Sequence, residues 1–141
     1  MSERVKKALE NHKHGYNCAQ AVVCAYCDLF GVDEKEAFKM SEAFGFGMGT
    51  MGTCGAVSAM AVLTGMKLSD GNLDKPATKK ECYKMMKDMT RQFEDKNKSI
   101  ICAELKGVKG GNVLRTCDGC IQDAAEIIEN TLLEKQEKAL G

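Results

Sequence analysis

The sequence predicts an all-α fold, a helical bundle of about five to six helices with a buried central pair. Three observations carry this. No stretch of the 141 residues alternates apolar and polar side chains with period two. There is one proline, Pro76, and there are few runs of β-branched residues. Two segments, 18–30 and 53–67, are apolar nearly all round, as helices inside a bundle are. A chain of this length is expected to form one domain, residues 1–141, with a core of its own.

Residues 3–13 read as a short polar helix with Val5, Ala8 and Leu9 on one side, ended by Gly15. Asn17 caps the next helix, 18–30, and Gln20 three residues on completes a capping-box pattern. Gly31 stops it. Asp33 is the cap of a third helix, with Glu36 at the third position and Val32 set against Ala37 as a staple. That helix ends near Phe44. A glycine-rich segment, 45–55, follows as a tight connection and the one candidate hinge. Thr53 is expected to cap the second buried helix, 53–67, with Cys54 in its first turn. Residues 68–74 form a loop. A long amphipathic helix then runs from 75 to 96, with Pro76 in its first turn. Ser99 is expected to cap a short helix bearing Ile100, Ile101 and Leu105, which Gly107 ends. Residues 107–116 are loop. The last helix, 118–139, turns Ile121, Ala124, Ala125, Ile128, Leu132 and Leu133 inward.

Composition excludes some functions. The chain is 44% hydrophobic and 28% charged, with 20 basic and 20 acidic residues and zero net charge. Nucleic-acid binding, which wants a basic excess, has no support, and no polybasic membrane patch stands out. The opening segment is charged at Glu3, Arg4, Lys6 and Lys7 and no apolar run follows, so no secretory signal is expected. The most apolar stretch, 19–30, is too short to span a bilayer and contains Asp28, so an integral membrane protein is not expected. The expected setting is cytoplasmic. There, eight cysteines point to metal binding, catalysis or simple burial before a disulfide framework.

Cysteine placement is the chief functional signal. Cys18, Cys54, Cys102 and the Cys117-Asp118-Gly119-Cys120 segment all lie close to predicted helix starts. A helix N-terminus offers unpaired N–H groups and partial positive charge, which stabilise the nucleophilic thiolate. Cys54 has the most specific setting, because Gly52 and Gly55 allow close approach beside it. Cys117 and Cys120 are spaced for a disulfide or for two ligands to one metal. Arg115 favours a thiolate there and Asp118 opposes it. Cys24 and Cys27 share that spacing but fall inside an apolar helix, and read as core. Cys82 reads as packing or an incidental thiol. His12 and His14 read as a solvated pair at a helix end. The nine methionines, among them Met48, Met51, Met60, Met85, Met86 and Met89, read as gap fillers in a helical core. The 45–55 segment is no phosphate loop, since it lacks the Gly-Lys-Ser/Thr ending and a preceding strand. Neither Cys-x-x-Cys is followed by His, which argues against covalent haem attachment.

Asn17-Cys18-Ala19-Gln20, the run from Phe44 to Gly49 leading into Thr53-Cys54-Gly55-Ala56, then Ile101-Cys102, and Cys117 at the last helix resemble a known family in order and spacing. It is the family of redox-active proteins named for the cysteine pattern C_GCAxxG_C_C. The resemblance implies a small, mainly helical domain with a thiol-based or metal-linked redox role. It marks Cys18, Cys54, Cys102 and Cys117 as the family cysteines, with Cys120 competing for the last place. Ala59 stands where the motif ends in glycine.

Three functions follow from these readings. The first is a dithiol/disulfide redox protein, in enzyme terms a thiol-based oxidoreductase, with Cys54 attacking and one of Cys18, Cys102, Cys117 or Cys120 resolving. Its partner would be a redox protein or a small thiol or disulfide, and it needs no cofactor. The second is a metal-binding module, with Cys18, Cys54, Cys102 and Cys117 or Cys120 holding zinc or an iron–sulfur cluster. The third is a structural or interaction domain whose cysteines only pack. The sequence does not choose an oligomeric state.

Overall fold

The computed structural model of the protein describes residues 1–108 and 110–134. Among them are seven α-helices and no strand. They are α1 (Glu3–Lys13), α2 (Cys18–Tyr26), α3 (Glu34–Ser41), α4 (Gly55–Leu68), α5 (Lys79–Asn97), α6 (Cys102–Lys106) and α7 (Cys117–Ile127). Residues 135–139, the end of the last predicted helix, lie outside the described residues.

The two all-round apolar helices form the expected central pair. α2 and α4 make the most extensive packing in the molecule, with α1, α3 and α7 against α2 and α5 against α4. Small residues let them approach closely: Ala19, Ala21, Ala25, Ala56 and Ala59 are all fully buried. Ala59 therefore places its extra methyl inside the core. Larger side chains, Leu63, Met60, Met89, Phe93 and Ile128, fill the remaining volume. Each such burial is worth about 1.5–3 kcal/mol. The buried Tyr26 hydroxyl donates to Glu129 at 2.5 Å, which satisfies the one polar atom that this ring carries inward.

Most predicted helix starts stand. Asn17 Oδ1 accepts from Gln20 N at 2.9 Å and Gln20 Oε1 from Asn17 N at 3.0 Å, a complete capping box. Asp33 accepts from Glu36 N. The last helix starts one residue earlier than expected, at Cys117, where Thr116 Oγ1 accepts from Gly119 N at 3.0 Å.

Three other starts differ. α4 begins at Gly55, and Cys54 itself is the N-cap; Thr53 is instead paired antiparallel with Ile101. α6 is capped by Ile101, and Ser99 Oγ accepts from Ile101 N and bonds Glu104. α5 begins at Lys79, past Pro76, because Asn72 Oδ1 takes the N–H groups of Asp74 and Lys75 into a side-chain turn. Helix ends tighten or widen as well. Cys27–Phe30 and Glu42–Phe44 are tighter turns following α2 and α3, and Ile128–Leu133 continues α7 as a wider one.

Candidate functional site

The starts of α2, α4, α6 and α7 converge on one cavity of about 190 Å³. Cys18, Cys102 and Cys117 are each the first residue of their helix, Cys54 is the cap of α4, and Cys120 lies one turn into α7. All five cysteines predicted as site residues line this cavity. Cys24 and Cys27 do not; they are buried in the core, as expected. All eight cysteines are free thiols.

The glycine-rich segment makes the convergence possible. Gly47 has φ +59, and a Cβ there would lie 2.5 Å from Gly52 N and 2.9 Å from the Cys102 Cβ. Gly55 lets the start of α4 meet the start of α2: a Cβ there would lie 3.1 Å from Ala19 N and 3.3 Å from the Cys18 Cβ. Two short backbone bonds strap the segment to the strand-like residues before α6. Cys54 N donates to Ile100 O at 2.7 Å and Cys102 N to Gly52 O at 2.6 Å. The loop pays for this with strain, since Phe46, Met48 and Met51 are non-glycine residues at positive φ. Met48 is 57% exposed. The expectation that it fills the core is thereby corrected, because the loop turns its side chain away from the bundle.

Electrostatics distinguish the thiols. Cys54 is lowered to about 7. The largest cause is a hydrogen bond from Cys120; the N–H groups of Ala56 and Val57 at the start of α4 and the Lys106 ammonium add to it, against the cost of burial. Cys120 shifts strongly the other way, first because it donates to Cys54 and then because it is buried. The pair therefore favours charge on Cys54 and the proton on Cys120. Cys18 is raised mainly by burial, and the neighbouring Cys117 adds to the shift. Cys102 is raised by burial, which Lys106 opposes.

Lys106, which the sequence reading missed, supplies the cation. It ends α6, lines the cavity, and sits 4.9 Å from the centre of the Phe46 ring. Arg115 was the cation expected to act. It lines the cavity too, but its guanidinium is held by the buried carboxylate of Asp123, at 3.0 and 3.1 Å. Lys96 and Asn97 bind the same carboxylate. These bonds keep Asp123 ionised despite burial, and the Arg115 side chain lies against Gly119, bracing the start of α7. Nor is His12 simply solvated. Its Nδ1 lies 2.7 Å from Asp118 Oδ1, at the cavity wall, so Asp118 faces His12. His14 stays exposed.

A family model described as Putative redox-active protein (C_GCAxxG_C_C) matches residues 16–131. The chain belongs to this family. The match spans the five cavity cysteines and the glycine-rich segment, so the C_GCAxxG_C_C pattern coincides with the convergence of four helix starts. No curated protein and no solved structure matches the chain. Among the described residues, no group of three or more His, Cys, Asp or Glu side chains is arranged to hold a metal ion. No described helix is long and apolar enough to cross a membrane.

Proposed function

We propose that the protein is a dithiol/disulfide redox protein of a reducing compartment such as the cytoplasm, with Cys54 as nucleophile and Cys120 as resolving thiol. The observation that carries this reading is geometric: Cys54, at the start of α4, and Cys120, one turn into α7, share one cavity with Lys106, and the Cys54 thiol is lowered there. An attacking thiol works best with a pKa near ambient pH. The Cys54 thiolate attacks a disulfide R–S–S–R′, forming a mixed disulfide and releasing R′S⁻. Cys120 then attacks the Cys54 sulfur, forming the Cys54–Cys120 disulfide and releasing RS⁻. The Cys120 proton passes to a leaving thiolate. Two electrons move from the protein to the substrate, and the reverse sequence reduces the protein.

Equilibration in thiol/disulfide buffers of defined potential tests this. The expected result is reversible loss of the Cys54 and Cys120 thiols, abolished by Cys54→Ser. Constant thiol number across physiological potentials would refute it. Metal analysis of anaerobically purified protein checks the competing module reading: stoichiometric zinc or iron would favour thiolate ligation by Cys18, Cys54, Cys102 and Cys117 or Cys120 instead.

A further inference from the structure

Besides Cys102, the cavity is lined by four thiols that differ in access, two inner and two outer. Cys54 and Cys120 are 5% and 3% exposed. Cys18 and Cys117 are half-buried, line the same cavity, and stand at the first residues of α2 and α7. A cavity of about 190 Å³ admits a small disulfide to the inner pair but not the folded surface that surrounds a protein disulfide. Cys18 also lies against the start of α4, where the missing Cβ of Gly55 leaves room for its own Cβ. Cys117 and Cys120 stand one turn apart on α7, so both pairs share that helix.

We infer that Cys18 and Cys117 form a second, outer dithiol that exchanges disulfides with partner proteins and relays them to Cys54 and Cys120. The inference rests on the dithiol reading of the inner pair. Cys117 attacks the partner's disulfide and expels one partner thiolate. Cys18 attacks the Cys117 sulfur and expels the other, leaving Cys18–Cys117. The Cys54 thiolate then attacks the Cys18 sulfur and expels the Cys117 thiolate. Cys120 attacks the Cys54 sulfur and expels the Cys18 thiolate, which closes Cys54–Cys120 and restores the outer pair. One partner disulfide has become two thiols and one protein dithiol a disulfide; the two protons released by the inner thiols are taken up by the partner's. Oxidised at both pairs, the protein stores four electrons' worth of disulfide.

Disulfide mapping of the full, unmutated chain tests this directly. The protein is equilibrated across glutathione redox buffers, quenched in acid, and its linkages are read by peptide mass spectrometry. Two linkages are expected, Cys54–Cys120 and Cys18–Cys117, with all four thiols lost at the oxidising end. Cys117→Ser should reduce the thiols lost from four to two and slow oxidation by insulin, used as a protein disulfide, at least tenfold. Formation of Cys54–Cys120 while Cys18 and Cys117 stay reduced would overturn the relay and leave the inner dithiol standing. Absence of any Cys54 linkage would overturn both.

Discussion

Two Cys-x-x-Cys segments in this chain have the same spacing and opposite surroundings. Cys24-Ala25-Tyr26-Cys27 lies at the end of α2, walled in by the core. Its sulfurs bond backbone carbonyls, Cys24 at Glu34 O and Cys27 at Cys24 O, and burial pushes Cys24 up to about 12. Cys117-Asp118-Gly119-Cys120 opens α7 on a cavity that also holds Cys18, Cys54, Cys102 and Lys106. Spacing decides only that two sulfurs can meet. Position relative to a helix start, a cation and a cavity decides whether either becomes a thiolate.

The largest effect should separate the two segments by substitution. Cys54→Ser removes the partner of Cys120 and should abolish reversible thiol oxidation of that pair, counted by mass spectrometry. The double variant Cys24→Ala, Cys27→Ala should leave that count unchanged and lower stability by about 1–2 kcal/mol in chemical denaturation, from packing alone. Loss of redox cycling in the core variant, with its fold intact, would break the comparison. Next in size is Gly47→Ala. A Cβ 2.5 Å from Gly52 N must displace the loop that carries Cys54 toward Cys102. Denaturation should show a loss of about 1–3 kcal/mol, and alkylation of Cys54 should change with it, while Cys24 and Cys27 stay protected.

Much of the contrast could be read from residue order, and the reasons are local. Asn17 and Asp33 mark helix starts because their short polar side chains reach N–H groups within the same turn. The apolar surround of Cys24 and Cys27 is equally local, and places them in the core. What stayed hidden depends on tertiary approach. Nothing near Lys106 in the chain announces that α6 will carry it to Cys54. Nor does Arg115 reveal that Asp123, eight residues on and beside it only because α7 is helical, will claim its charge. The capping role of Cys54 was obscured by Thr53, a better cap by type, which the pairing with Ile101 draws out of the helix. The choice of Cys120 as the neighbour of Cys54 is a property of four helix starts meeting, and no spacing encodes it.

A smaller effect sharpens the electrostatic half of the comparison. Lys106→Met removes the cation that favours charge on Cys54 while keeping a long side chain beside Phe46. Iodoacetamide labelling of Cys54 at pH 6 should slow by roughly 2–5-fold, the scale of a partly screened ion pair. Labelling of Cys24 should not respond.

The most direct test is peptide-resolved alkylation of the native protein as a function of pH. Because Cys54 is lowered to about 7, its labelling should reach half its maximal rate near pH 7 and fall about tenfold for each pH unit below that. Cys24, pushed up to about 12, should stay unlabelled throughout the same range. A Cys54 midpoint at or above the ordinary thiol value of about 8.5, or labelling of Cys24 in step with it, would contradict the account.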